Sequence, residues 1–313
     1  MKKYIIFLLV LSCIAIIFQS CGQNSNVTQQ AKKIGINEQN YPRIDGSTST
    51  LVIVQEIYKT MYKPEIIDGE DVWNGLPHSA SKTIESYRML IDGEVDLIIV
   101  SAPSEEVEKL AADKGVELEY VPICLEALVF ITHKNTTVNN VTTEELKSIY
   151  TDMQINKWPQ LGGQDMYIFA LTRNEDSGSH ALMEKFILQG EKVNELIENN
   201  AMSLTMVGIV DEIENYINYT THGGVLPLGY TVYYFLQNNR EEQKWDNVKI
   251  LNINGIEPNN QTIASGEYPY STNYYAVIKN DTPKNSSSRK LISWLLSDEG
   301  RHIFTDAGFG IIE

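Results

Sequence analysis

The sequence predicts an α/β protein made of two lobes. Short apolar runs that are typical of buried strands alternate with segments whose apolar residues recur at helical spacing. The chain has 313 residues, and at about 150 residues per domain this length indicates two domains. Its composition, 42% hydrophobic and 21% charged, is that of an ordinary globular protein. The expected architecture is therefore a pair of three-layer α/β lobes.

The first part of the globular chain alternates helices and strands in a regular order. The pattern predicts helices over residues 51–61 and 84–92, a strand at Val95–Val100, a helix from Ser104 to just before Gly115, and strands at Glu117–Ile123 and Ala127–His133. The run Val95–Val100 is continuously apolar, as expected of a parallel strand that is buried on both faces. Cys124 lies within another apolar run and is expected to be a buried thiol.

The second part of the chain continues the same alternation. A capping box at Thr142–Glu145 predicts the start of a helix that reaches Tyr150. The later elements are expected as strands at Tyr167–Thr172, Gly224–Leu228, Val248–Ile253 and Tyr274–Ile278, and as helices at Ala181–Leu188, Arg289–Leu296 and Glu299–Ala307. The sequence contains no internal repeat and no low-complexity block.

The charge balance and the counts of histidine and cysteine exclude several classes of protein. Asp and Glu total 41 against 25 Lys and Arg, which gives a net charge of −16. A nucleic-acid-binding surface is basic, so we expect no nucleic-acid partner. The five histidines show no metal-ligand spacing, and the three cysteines are too few for a disulfide scaffold. We therefore expect no metal site and no cofactor.

The N-terminus has the features of a bacterial secretory signal. Two lysines precede an apolar run over residues 4–18, which is shorter than the roughly 20 residues of a membrane-spanning helix. The run ends at Phe18–Cys21, which resembles a bacterial lipobox. We expect a signal peptide over residues 1–20, lipid attachment at Cys21 and a flexible tether over residues 21–40. An ordinary signal peptide with a chance cysteine is the alternative. The lipidated protein would lie on the extracytoplasmic face of the bacterial cell membrane.

Three loops share one design, in which a cluster of hydroxyl residues directly precedes a predicted helix. They are Asp45–Thr50, His78–Thr83 and Arg173–Ser179. The start of a helix presents unpaired N–H groups and the positive end of a dipole, so it favours an anion. Serine and threonine add donors, and Arg173 offers a planar fork that matches two oxygens of an oxyanion. Because ligands of open α/β sheets bind at the carboxyl ends of strands, the three loops are expected to converge in a cleft.

Each loop also has a simpler explanation. Serine and threonine are the preferred N-cap residues of any helix. Arg173 alone would be interpreted as a surface ion pair, with Glu175 or Asp176 as its partner. The convergence of three such loops in one chain favours a binding site over chance.

The chain resembles the phosphate-binding subunits of ABC-type uptake transporters, which have the type II periplasmic-binding-protein fold. The matching stretches run in family order and are residues 44–50, 90–103, 121–133, 144–150, 173–179, 268–278 and 291–308. The pattern Arg-x-x-x-Ser-Gly-Ser at 173–179 is the most specific of these. The resemblance implies two α/β lobes that are joined by two crossing segments, with a ligand cleft between them.

The resemblance also implies which residues hold the ligand. Matched motif by motif, the ligand-binding residues are Ser47, Thr48 and Ser49 in the first loop, Ser81 and Thr83 in the middle loop, Ser101, and Arg173, Ser177, Gly178 and Ser179 in the third loop. Many family members carry an aspartate at the position of Ser101, where its carboxylate accepts a proton from phosphate. Without it the preference for phosphate over other oxyanions is open, although Asp45 or Asp176 could substitute.

The family order of segments gives expected lobe limits. Lobe one would comprise residues 41–124 and 265–313, and lobe two residues 125–264. The chain would cross near residues 122–127 and return around residues 264–274.

The expected function is capture of inorganic phosphate and its delivery to an ABC transporter permease by a monomeric lipoprotein. A lipoprotein of the same fold for another oxyanion or small ligand, acting in sensing or adhesion, is the first alternative. An enzyme is the second, since Ser79 and Lys82 match a Ser-x-x-Lys motif, but the companion motifs of that class are missing. We therefore expect no catalytic activity.

Overall fold

A computed structural model describes residues 26–216 and 224–312. Its helices are α1 Gln29–Lys33, α2 Leu51–Met61, α3 Thr83–Asp92, α4 Glu105–Asp113, α5 Thr143–Tyr150, α6 Gly178–Met183, α7 Glu195–Asn200, α8 Met206–Glu214, α9 Tyr233–Gln243, α10 Asn260–Ala264, α11 Ser287–Leu295 and α12 Asp298–Asp306. Its strands are β1 Ile44–Gly46, β2 Glu65–Ile67, β3 Glu70–Val72, β4 Leu97–Val100, β5 Leu118–His133, β6 Asn140–Val141, β7 Tyr167–Ala170, β8 Thr172–Arg173, β9 Met202–Ser203, β10 Val225–Val232, β11 Val248–Ile250, β12 Asn252–Ile253 and β13 Ser271–Lys279. A 3-10 turn at Thr48–Thr50 precedes α2, and a π turn at Glu184–Leu188 follows α6.

Seven strands form one mixed sheet. Its order is β1-β4-β13-β5-β10-β7, and β11 also pairs with β5. β1 is parallel to β4 and β7 is parallel to β10, whereas β13, β10 and β11 run antiparallel to β5. We call the part that contains β1, β4 and β13 lobe one, and the part that contains β10, β7 and β11 lobe two. The predicted α/β class is confirmed.

The longest strand, β5, passes from one lobe to the other. It has 16 residues, and it pairs with β13 as far as Ala127 and with β10 from Leu128 onward. The expected break into two strands is wrong, because residues 124–126 keep their backbone pairing with Asn273 and its neighbours in β13. The expected lobe limits at residues 124 and 264 stay a prediction.

Burial explains why the helices beside the site form. α2 buries Ile53, Val54, Ile57 and Met61, at the spacing of three and four residues that covers one helix face. α3 in the same way packs Ile84, Tyr87, Leu90 and Ile91 inward. Cys124 on β5 is buried, as the sequence predicts.

The expectation of a flexible tether is wrong for residues 26–40. These residues form α1 and bury Val27, Ala31 and Ile36, each with at most 1% of its surface exposed. The backbone N–H of Thr28 donates to the carbonyl of Met61 at the end of α2, at 2.9 Å. Burial of these three apolar side chains therefore stabilises a folded structure in a stretch whose composition is mostly polar. Residues 26–40 pack onto lobe one.

Residues 1–25 lie outside the described residues, and with them the predicted signal peptide and Cys21. Among the helices of residues 26–216 and 224–312, none combines the length and apolar character that a membrane crossing requires.

Candidate functional site

The three hydroxyl-rich loops meet around one small cavity. The space free of protein atoms there, counted together with the part that opens to solvent, is about 260 Å³. Its lining residues are Ser47, Thr48, Ser49, Lys82, Thr83, Arg173, Ser177, Gly178 and Met206. Seven of the ten residues expected to hold the ligand are thus in the lining itself. The first and middle loops belong to lobe one and the third loop belongs to lobe two, so the cavity lies between the lobes.

Hydrogen bonds to the sheet hold the first loop rigid. The Thr50 hydroxyl donates to the carbonyl of Ile99 on β4 at 2.5 Å and accepts from the backbone N–H of Ser47 at 2.9 Å. The turn needs Gly46, because a Cβ at this residue would lie 2.7 Å from both the Ile99 carbonyl and Thr50 Oγ1. Ser47 Oγ and Ser49 Oγ are 3.0 Å apart. The loop therefore presents a fixed pair of hydroxyls to the cavity.

The middle loop places Thr83 at the cavity and Ser81 outside its lining. Thr83 is the first residue of α3, and its buried hydroxyl has no hydrogen-bond partner in the described structure. The backbone N–H of Ser81 instead donates to Asp45 Oδ1 at 3.3 Å. Lys82 between them has a φ of +76°, a left-handed conformation that is uncommon for lysine and concentrates at ligand-binding loops.

Gly178 in the third loop brings the two lobes into contact. Ser177 precedes it as the N-cap of α6 and accepts a hydrogen bond from the backbone N–H of His180 at 3.1 Å. A Cβ at Gly178 would lie 2.7 Å from both Thr83 Oγ1 and Ser101 Oγ. Only glycine lets the start of α6 approach these two hydroxyls so closely.

Ser101 follows β4 and faces the same point. It is 2% exposed, and its hydroxyl is buried without a partner in the described structure. A buried hydroxyl without a partner costs free energy. Thr83 and Ser101 therefore form a pair of unsatisfied donors beside Gly178, although Ser101 is not among the lining residues.

Arg173 is a buried cation without a carboxylate partner. It is 5% exposed, and none of the ion pairs in the described part of the chain includes it. Its Nε donates to the carbonyl of Ser203 at 3.1 Å, and its Nη1 lies 3.5 Å from Ser179 Oγ. The alternative of a surface ion pair with Glu175 or Asp176 is wrong, because Arg173 is buried while both acids are exposed.

Burial sets the electrostatics around Arg173. Desolvation lowers the pKa of Arg173 to about 10, so the guanidinium stays charged at neutral pH. Desolvation, aided by the nearby guanidinium, also lowers the pKa of His180 to about 4. His180 is therefore neutral near pH 7, and its Nδ1 lies 3.1 Å from the Tyr230 hydroxyl. Arg173 is therefore the buried cation of this site, whereas Lys82 in the lining is exposed.

No carboxylate is among the residues that line the cavity within the described part of the chain. Asp45 accepts from the backbone of Ser81 and, at 2.9 Å, from the hydroxyl of Ser86, while Asp176 is exposed. Apart from Met206 and Gly178, the side chains of the lining are hydroxyls, one arginine and one lysine. Such a set of donors binds a dehydrated anion.

Two residues of the lining, Lys82 and Met206, are absent from the expected site. Met206 begins α8, and its position depends on the pairing of β9 with β8, which brings Ser203 beside Arg173. The stretch Ser203–Thr205 is a further hydroxyl-rich loop before a helix, and this signal could have identified it. Among the described residues no group of histidine, cysteine and acidic side chains is arranged to hold a metal ion.

The fold and the sequence together define the class of protein. The chain belongs to the PBP superfamily, since the profile of the PBP superfamily domain matches residues 39–299. The chain is similar to the phosphate-binding protein PstS of Bacillus subtilis, 26% identical over 207 residues that cover 66% of this chain and 61% of that protein. It is also similar to the phosphate-binding protein PstS of Staphylococcus epidermidis, 24% identical over 302 residues that cover 94% and 85% of the two chains.

Solved structures show the same fold. A protein from Clostridium perfringens, assigned as a phosphate ABC transporter substrate-binding protein and solved with phosphate bound, superposes with a TM-score of 0.63 at 22% identity, covering 86% of this chain and 98% of that one. An ABC-type phosphate transport receptor from Vibrio cholerae gives a TM-score of 0.59 at 19% identity, with the same two shares. The predicted two-lobed fold of the type II periplasmic-binding-protein kind is confirmed.

Proposed function

We propose that this protein is an extracytoplasmic receptor that captures inorganic phosphate and delivers it to an ABC transporter permease. One observation carries the proposal: in the described structure the buried Arg173, which has no carboxylate partner, lines one cavity with Thr83, whose hydroxyl is unpaired, and the unpaired hydroxyl of Ser101 lies beside Thr83 at Gly178. An isolated buried charge is costly, and a bound oxyanion would satisfy the cation and the hydroxyls together.

The position of the cavity supports binding by closure of the lobes. Ser47 and Thr83 come from lobe one, whereas Arg173 and Ser177 come from lobe two. The lobes are linked by β5, so a small bend in this strand would separate the two sets of donors and release the ligand. Binding of this kind needs no bond to be made or broken, and we propose no catalytic step and no cofactor.

The choice of phosphate and of the permease rests on relatives. The curated relatives from Bacillus subtilis and Staphylococcus epidermidis are named phosphate-binding proteins. The structural neighbours are described as an ABC transporter substrate-binding protein and a phosphate transport receptor. One molecule contains both lobes of the cleft and needs no second copy to enclose the ligand, so we propose a monomer.

We further propose that residues 1–20 are a signal peptide and that Cys21 carries the lipid anchor. The motif Phe18–Cys21 supports this, and Asn26, five residues after Cys21, is held to lobe one because its carbonyl accepts from the Lys63 N–H at 2.9 Å. Five residues span at most about 18 Å. A lipid at Cys21 would therefore hold lobe one close to the membrane that contains the permease.

Calorimetry of the chain without residues 1–21 tests the function. We expect phosphate to bind tightly and reversibly with a stoichiometry near one, and organic phosphates to be excluded by the small cavity. Absence of binding to phosphate, sulfate and molybdate would contradict the proposal.

A receptor for another tetrahedral oxyanion is the second candidate. It is favoured by one observation, the lack of a carboxylate among the residues that line the cavity in the described structure. Sulfate and molybdate carry no proton near neutral pH, so a site made only of donors would bind them as readily as phosphate. Competition between phosphate and sulfate in the same calorimetric experiment separates the two candidates.

A further inference from the structure

A buried carboxyl group lies where β5 passes from one lobe to the other. Glu126 is fully buried, its Oε1 accepts from the backbone N–H of Ala127 at 2.8 Å and of Tyr234 at 3.3 Å, and its Oε2 has no hydrogen-bond partner in the described structure. The function proposed above gives this group no role. A buried acid with one free oxygen is costly, so its neighbours decide what it does.

The neighbour that matters is Tyr274 on β13. Glu126 pairs with Thr272 in the sheet, so Tyr274, two residues further along β13, is its diagonal neighbour on the same face. The Tyr274 side chain is buried, and its hydroxyl donates to Ser49 Oγ at 2.6 Å. Ser49 lines the cavity. Tyr274 is the link between the two ends: its hydroxyl contacts Ser49, and its side chain interacts with the Glu126 carboxyl.

We propose that Glu126, Tyr274 and Ser49 form a hydrogen-bond chain through which the charge on a buried carboxyl decides whether Ser49 donates to the bound oxyanion or accepts from it. The inference rests on the proposed oxyanion-binding function and refines its specificity.

The hydrogen-bond chain has two settings, that is, two directions in which its hydrogen bonds can point, because each hydroxyl carries one hydrogen. When Glu126 is protonated, it donates to Tyr274, and Tyr274 donates to Ser49 as the structure shows. The hydrogen of Ser49 is then free to turn to the ligand, with Ser47 Oγ, 3.0 Å away, as its alternative acceptor. When Glu126 is ionised, Tyr274 turns its hydrogen to the carboxylate and accepts from Ser49, and Ser49 offers a lone pair to the cavity. The proton lost by Glu126 goes to solvent, and no bond between heavy atoms changes.

The surroundings of Glu126 place the change between these settings near neutral pH. Burial is the main cause that raises the pKa of Glu126 to about 7, opposed by the backbone N–H groups that it accepts from and by an interaction with the Tyr274 side chain. The titratable side chains that face it are Cys124 on β5, Tyr274 on β13 and Tyr234 on α9. All three are buried groups whose pKa is raised, so they are neutral when Glu126 titrates.

The two settings favour different oxyanions. An ionised Glu126 makes Ser49 an acceptor, which suits the proton that phosphate still carries and disfavours sulfate, which has none. A protonated Glu126 makes Ser49 a donor, which suits sulfate. A carboxyl that does not line the cavity would thus supply the acceptor that the lining lacks.

Sulfate is the probe, because its charge is constant between about pH 5.5 and about pH 8.5 while Glu126 titrates. The affinity of the chain without residues 1–21 for sulfate is measured at both pH values, by competition with phosphate. We expect sulfate to bind about tenfold more tightly at the lower pH, the effect of one hydrogen bond to a charged group. Tyr274→Phe, which interrupts the chain and leaves the Glu126 charge in place, should reduce this ratio to below about twofold, as should Glu126→Gln.

The matched control is Tyr268→Phe. Tyr268 is a buried tyrosine of the same segment whose hydroxyl donates to the carbonyl of Leu128 instead, at 2.9 Å. This variant should keep the tenfold ratio. If Tyr274→Phe does not fold, Ser49→Ala, which removes the last hydroxyl of the chain, takes its place.

Two results would overturn the proposed hydrogen-bond chain. One is a wild-type sulfate affinity that does not change with pH, and the other is a tenfold ratio of the two sulfate affinities in Tyr274→Phe. Failure of sulfate to compete at the lower pH would overturn it as well. The proposed function fails differently, through an absence of phosphate binding by the wild type at either pH.

Discussion

The two lobes supply opposite halves of the candidate site. Lobe one offers neutral donors, among them the buried hydroxyls of Thr83 and Ser101, which have no partner in the described structure. Lobe two offers a buried cation, Arg173, whose pKa is lowered to about 10 by desolvation. Each half lacks the same thing, which is an acceptor with negative charge. Neither lobe pairs its own donors, so one oxyanion would stabilise both lobes and hold them together.

The largest expected effect on phosphate affinity follows from removing the buried positive charge of lobe two. Arg173→Ala should weaken phosphate binding by about 2–5 kcal/mol, or roughly 30- to several-thousand-fold, because the anion loses its cationic partner. Calorimetry of the folded variant measures this.

The control for this variant is Arg289→Ala. Arg289 is paired with Glu119 at 2.8 Å and is not among the cavity-lining residues, so its loss should leave phosphate affinity unchanged. Equal affinities of Arg173→Ala and the wild type would remove Arg173 from the site.

The second effect concerns the point where the two lobes join. The pKa of Glu126 is raised from 4.5 to about 7 in the folded protein. The unfolded state therefore binds fewer protons across this interval, and the free energy of unfolding falls as the pH rises through it, by about 3 kcal/mol from this group. Glu126→Gln should remove that decline from denaturant unfolding curves measured at several pH values. Identical pH profiles of the variant and the wild type would contradict the assignment.

The third effect tests the unsatisfied hydroxyls of lobe one. Ser101→Ala removes a buried donor without a partner, so the ligand-free protein should become more stable while phosphate affinity falls by about 1–3 kcal/mol. Thermal unfolding without ligand and calorimetry with phosphate report the two quantities. A variant that loses stability and keeps its affinity would show that Ser101 serves the fold alone.

The smallest effect is expected from a hydroxyl of lobe two. Ser177 caps α6, so Ser177→Ala should cost about 1 kcal/mol of stability as well as about 1–2 kcal/mol of phosphate affinity. The sign of the stability change thus distinguishes Ser177 from Ser101. If both serines changed stability in the same direction, the contrast between the two lobes would fail.

Local signals were enough to predict most of the fold. The capping box at Thr142 and the helical spacing of residues 51–61 lie within single elements, and the structure confirms both helices. The continuity of β5 was missed because it depends on β13, about 150 residues away in sequence. The packing of residues 26–40 was missed because their few apolar residues are buried by α2, which sequence periodicity does not show.

The candidate site was predictable to the extent that each loop carries its own motif. The loop at 45–50 contributes all three lining residues that its motif indicates, whereas the loop at 173–179 contributes three of four, because Ser179 is not in the lining and lies 3.5 Å from Arg173 Nη1. The middle loop differs, because the left-handed backbone at Lys82 turns Ser81 towards Asp45 and leaves Thr83 at the cavity. Glu126 and Tyr274 could not be predicted, since only the sheet register makes them neighbours.

The most direct test of the account is a crystal structure of the chain without residues 1–21 with phosphate bound. We predict one phosphate between the lobes, with the Arg173 guanidinium and the hydroxyls of Thr83 and Ser101 each about 3 Å from its oxygens. A phosphate seated elsewhere, or a guanidinium that still contacts only Ser203 and Ser179 while the anion is bound, would contradict it.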